Sequence, residues 1–120
     1  MDKKRQGKGV PGEPAHGLSK KRLDELIQEA TADAHDESEQ AMGFHAVIED
    51  ELRLPFDTEV LGTTVTVESV DLTADDRLVA VCRKGKARQR SSLADLPLPS
   101  PLPEGAKWIL AYRYWRDGTL

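Results

Sequence analysis

A single cysteine, Cys82, stands in the 120 residues, so no internal disulfide can form and the composition suits a reducing compartment. No apolar run approaches the roughly 18 residues of a membrane span. The longest candidate, Trp108 to Tyr112, has five. Residues 1–17 are basic but lack an apolar stretch, so they do not read as a secretory leader. No D-x-D-x-D-G loop with a closing glutamate occurs, which excludes an EF-hand. His45 and Glu49 could supply two arms of a zinc site, yet no second histidine stands at a useful spacing. Ser91 and Ser92 lack a nucleophile elbow and any identifiable base, so hydrolase chemistry finds no support. No internal repeat is visible. These absences lead us to expect a monomeric, cytoplasmic, non-enzymatic protein.

What is present is charge, unevenly placed. Hydrophobic residues make up 38% and charged residues 32% of the chain, enough for one domain with a modest core. The net charge is −4. Residues 18–60 hold four basic against twelve acidic side chains, whereas residues 1–17 and 61–120 each carry a small positive excess. Acidity is therefore a property of one segment.

Residues 1–17, rich in glycine and proline, read as a disordered basic tail, leaving 18–120 as the folded domain. Leu23, Leu26, Ile27 and Ala30 recur at helical spacing behind Ser19, an N-cap, and predict a helix reaching about Ala34. Asp36 with Glu39 resembles a capping box and opens a second helix, whose inner face is Ala41, Phe44 or His45, Ile48 and Leu52, and which Leu54-Pro55 ends. Whether these are two helices or one bent helix stays open at this level. After Pro55 the period falls to two, predicting strands near 56–61, over 63–72 and over 77–84, with turns at Gly62 and 73–76. Val65 and Val67 have one parity and Val70 and Leu72 the other, which asks for a bulge near Glu68-Ser69. The basic run after Gly85 can form a further strand. The four prolines of 97–103 force a surface crossing or a short turn. Trp108, Ala111, Tyr112 and Trp115 then form the core stripe of a last helix ended by Gly118. The fold class is α+β: N-terminal helices on a small curved SH3-like antiparallel sheet or barrel, with a C-terminal helix.

The densest carboxylates are Asp33, Asp36, Glu37, Glu39, Glu49 and Asp50, followed by Glu51, Asp57 and Glu59. Gathered acids repel one another unless a cation relieves them, and calcium takes six to eight oxygen ligands in flexible geometry. On a continuous helix Asp33 and Glu37 would lie at i,i+4, as would His35 and Glu39, so either pair could converge on one ion. The run 49–51 sits where a helix dipole disfavours negative charge, and a bound cation would relieve it. The alternative is a solvated helix face.

The wording Glu39-x-Ala41-Met42-Gly43-Phe44, followed by Glu49-Asp50-x-Leu52-x-x-Pro55-Phe56, resembles the small non-EF-hand, CcbP-like calcium-binding family first known from cyanobacteria. Asp33 and Glu37 fit its acidic helix, and Trp108, Tyr112, Tyr114 and Trp115 fit its ending. The resemblance spans roughly residues 20–115. It implies a small β domain, a tryptophan-bearing C-terminal helix, and calcium held by acidic side chains to buffer or sense cytoplasmic calcium. Two departures stand out: Phe44-His45-Ala46-Val47 replaces an aromatic run, and Glu51 replaces a lysine.

The competing reading is an interaction module in which the basic hairpin 83–90 (Arg83, Lys84, Lys86, Arg88, Arg90) binds an acidic peptide or a nucleic-acid backbone. The net acidity and the inward aromatics argue against nucleic acid. Internal pairing of the hairpin with the acidic helices is the plainer expectation. Cys82, in a strand of alternating apolar residues, reads as a core thiol.

Overall fold

Ser19 starts the first helix. Its hydroxyl accepts from the Arg22 backbone N–H at 3.0 Å, and helix α1 runs Lys20–Ala30 with Leu23 and Leu26 fully buried. The computed structural model describes residues 18–118, so the tail expected over 1–17 lies outside the described residues. The helix stops four residues short of the expected Ala34. Thr31 closes it, with both its hydroxyl and its N–H donating to the Ile27 carbonyl, and the Ala34 N–H turns back to the Thr31 carbonyl. The reason is tertiary. Helix α2 (Glu37–Glu51) crosses so close that a Cβ on Gly43 would lie 2.1 Å from the Ala30 carbonyl oxygen. Only glycine permits that approach.

There are thus two helices rather than one bent one. Asp36 caps α2, its carboxylate accepting from the Glu39 N–H at 2.9 Å. Glu39 reaches back to the His35 N–H at 2.6 Å, one residue earlier than a regular capping box. Ala41, Phe44 and Ile48 are fully buried and Leu52 nearly so.

Four strands follow, β1 (Phe56–Val60), β2 (Thr63–Leu72), β3 (Leu78–Lys84) and β4 (Ala87–Ser92), in an antiparallel meander of order β1-β2-β3-β4. The sheet is open, with β1 and β4 at its edges, so the antiparallel sheet is present and barrel closure is not. Register shifts between Val67 and Ser69, which puts Val67 and Val70 on the same buried face despite their opposite parity. The bulge lies where the parity change required it.

The proline crossing is less superficial than expected, because Leu93 and Leu96 are buried and anchor it. Arg113 holds this crossing from helix α3 (Lys107–Asp117), donating to the Leu93 carbonyl and also to that of Leu96. Helix α3 is more central than a single stripe implies, since all five residues from Trp108 to Tyr112 are buried. The Tyr112 hydroxyl accepts from the Leu78 N–H at 3.1 Å, and the Phe44, Tyr112 and Trp115 rings cluster in edge-on and tilted contacts with centroids 5.2–6.0 Å apart. Helices, sheet and crossing close on one apolar core, an α+β arrangement. Among the described residues, no helix is long and apolar enough to cross a membrane.

Candidate functional site

Ending α1 at Ala30 redistributes the acidic residues. Asp33 lies in the α1–α2 turn, not on a helix, so the expected Asp33–Glu37 and His35–Glu39 pairs at i,i+4 do not form. His35 meets Glu39 through its backbone instead. The six candidates therefore divide. Asp36 is committed to capping α2. Glu49 stands 3.5 Å from His45 Nε2, which also lies 3.0 Å from the Val70 carbonyl. Because that carbonyl can only accept, Nε2 carries the proton.

Asp33, Glu39 and Asp50 line an open cleft of about 850 Å³ between α1 and α2, together with Glu29 and His35. Its floor is apolar, formed by Ala30, Met42, Gly43, Ala46 and Val47 among others. Glu37 points elsewhere. It lines a smaller cleft of about 340 Å³ with Asp75, Asp76 and Asp117, beside Trp115 and Arg116. These carboxylates come from the first turn of α2, the β2–β3 turn and the end of α3.

Hydroxyls organise the second cleft. The Ser38 hydroxyl donates to Asp76 Oδ1 at 3.0 Å, and the Thr73 hydroxyl donates to Asp75. That bond from Thr73 is the main reason the Asp75 carboxyl is held below its ordinary range. Desolvation opposes the shift, and a backbone hydrogen bond, Arg77 and Arg116 add to it. Asp76 itself adopts a left-handed backbone (φ 66°), a conformation that aspartate and asparagine enter more readily than other residues with a side chain. The Trp115 indole, on the cleft wall, is pinned by its N–H donating to Gln40 at 3.1 Å. Among the described residues, no three histidine, cysteine or acidic side chains are drawn together as a ready metal cage. The donors of the second cleft are oxygens, suited to a hard cation, but they stand apart.

Asp75, Asp76 and Asp117 were not singled out from sequence. An Asp-Asp pair in a turn opened by Thr73 is a weak local signal for the first two. Asp117 has none, because only the packing of α3 brings it there.

The basic hairpin pairs internally, though with the sheet rather than with the acidic helices. Arg83 and Arg88 both grip Glu68 on β2, and Arg90 meets Asp71 at 3.2 Å. Hydrogen bonds from Arg88 and then Arg83 hold the Glu68 carboxyl below its usual range. Cross-strand geometry explains the choice: β4 lies beside β3 and β3 beside β2, so these long side chains reach along one sheet face. Cys82 is buried, and burial pushes its thiol up.

Comparison with known proteins adds a family. A family model described as calcium binding, Calci_bind_CcbP, matches residues 24–116. The fold is similar to that in the crystal structure of Anabaena CcbP, at a TM-score of 0.67 and 18% identity, over 88% of this chain and 98% of that one. No curated protein matches.

Proposed function

The chain belongs to the CcbP calcium-binding family, and from that premise we propose that it is a non-enzymatic calcium-binding protein whose principal site is the cleft of Glu37, Asp75, Asp76 and Asp117. The observation that carries this reading is that four carboxylates from three separate elements line one small polar cleft. Calcium requires hard oxygen donors and tolerates irregular geometry, and water completes its shell. Asp117 near the C-terminus of α3 adds a helix dipole that favours a cation. Arg116 acts as the resident counter-charge, which the incoming ion must displace. Asp33, Glu39 and Asp50 form a second, looser acidic array, while Asp36 and Glu49 contribute charge without leaving their present partners.

Because the ligands are spread over α2, the β2–β3 turn and α3, bound calcium ties these elements together and stabilises the folded state by mass action. A site that must be drawn closed suits a reversible buffer or sensor of cytoplasmic calcium rather than a permanent structural ion. The unit that does this is the single domain from residue 18 onward.

The test is a calcium titration read by ¹⁵N–¹H correlation spectra and tryptophan fluorescence, with magnesium in parallel. Saturable, calcium-selective shifts at Glu37, Asp75, Asp76 and Asp117, with a Trp115 signal, are expected. Shifts confined to Asp33, Glu39 and Asp50 would move the site to the larger cleft. Equal weak drift with both ions would end the proposal.

A further inference from the structure

The larger cleft has the wrong floor for an ion. A hydrated cation gains nothing from Met42, Ala46 and Val47, yet these side chains form an apolar stripe on the outer flank of α2. Met42 is 54% exposed, one of two large hydrophobics so placed among the described residues. The core face of the helix, Ala41, Phe44 and Ile48, is already buried and Val47 packs against that core, so the apolar surface surplus to folding is Met42 with Ala46. Gly43 lets the α1 backbone approach and form the facing wall. The rim has one sign, with Glu29, Asp33 and Asp50 around the groove and no basic residue in the last turn of either helix.

We propose that this groove docks a cationic amphipathic peptide segment of a partner protein, its aliphatic side chains on Met42 and Ala46 and its lysines or arginines on the acidic rim. Charge complementarity selects the occupant. Nucleic acid and anionic membrane are repelled by the rim, and a simple cation leaves the floor exposed. A peptide combining positive charge with aliphatic side chains satisfies both surfaces. The flexible thioether of Met42 suits such a floor because it adapts to differently shaped side chains. The proposal uses none of the carboxylates of the principal calcium cleft, Glu37, Asp75, Asp76 and Asp117.

The test uses the full chain and a synthetic amphipathic helix of leucine and lysine, with a leucine–glutamate helix as control, followed by calorimetry and ¹⁵N–¹H spectra. Saturable binding of the lysine peptide alone is expected, with shifts at Met42, Ala46 and Val47. Ala46→Arg, which fills the floor and reverses the local charge at an exposed helical position, should weaken it by about tenfold or more. Met42→Gln should weaken it less, and Asp33→Asn with Asp50→Asn should flatten its salt dependence. Asp76→Asn, in the other cleft, should leave it unchanged at physiological salt, where charges that far apart are screened. Equal binding to Ala46→Arg, equal binding of the glutamate helix, or shifts mapping to the sheet would overturn the proposal. So would self-association abolished by Ala46→Arg, which would assign the groove to a second copy of the chain.

Discussion

Charge at the proposed calcium cleft can be changed in both directions, and the two changes must move affinity oppositely. Asp76→Asn removes one negative charge while keeping an oxygen for the Ser38 hydroxyl, and asparagine accepts the left-handed backbone found there (φ 66°). A carboxylate about 4 Å from a divalent ion is worth about 2 kcal/mol even at the dielectric constant of water. Its loss should weaken calcium binding about thirtyfold. Arg116 lines the same cleft with the opposite sign. A unit positive charge about 8 Å from a divalent ion repels it by about 1 kcal/mol in water, so Arg116→Gln should tighten binding by up to about fivefold. Calorimetric titration of the two variants and the parent at low ionic strength measures both effects, and thermal melts without calcium establish that the fold is intact. Both variants moving affinity in the same direction, or Asp76→Asn changing it by less than about threefold, would refute the assignment of the cleft.

Gly43→Ala forces a methyl group to within 2.1 Å of the Ala30 carbonyl oxygen. Despite alanine's better helix propensity, the variant should lose about 2 kcal/mol in urea denaturation; unchanged stability would mean that α1 and α2 separate freely. Glu68, held below its usual range by Arg88 and Arg83, contributes stability that is complete above the ordinary glutamate range and lost as pH falls through its depressed folded value. Glu68→Gln should therefore flatten the acid limb of Tm against pH, and an identical limb would contradict the pairing. Cys82, with its thiol raised by burial, should react with a disulfide reagent only at the rate of protein opening, so fast labelling of the native protein would place it outside the core.

Which features were legible depends on whether their cause is local. Helix α2 was readable because Asp36, Glu39 and Leu54-Pro55 carry its start and stop within a few residues. The bulge was readable because Val67 and Val70 cannot both be buried without it. The end of α1 was not, since Thr31-Ala32-Asp33-Ala34 carries no strong stop and the cause lies at Gly43, twelve residues later. Leu93 and Leu96 hid in a proline-rich segment whose composition suggested surface. The acidic cluster was correctly seen as abundant charge, but its division between two clefts depends on α3 and on the β2–β3 turn, which no local pattern connects to α2. The basic hairpin was expected to meet acid and does, but strand adjacency selected Glu68 and Asp71 over the helices.

Helix α2 borders both clefts, with Glu37 facing the proposed ion site and Asp50 the proposed peptide groove. The two lie thirteen residues apart on one helix, a separation of about 20 Å, beyond the Debye length of about 8 Å at physiological salt. Asp33 and Glu39 are nearer in sequence to Glu37, so some electrostatic coupling survives when salt is low. Its sign is fixed, because calcium cancels negative charge and so disfavours a cationic peptide, and reciprocity requires the peptide to disfavour calcium equally. Titrating the leucine–lysine helix with and without saturating calcium should therefore show antagonism at low ionic strength that fades at physiological salt. Enhancement by calcium would contradict a purely electrostatic coupling. It would require α2 to have two packed positions, with calcium favouring the one in which the groove is open.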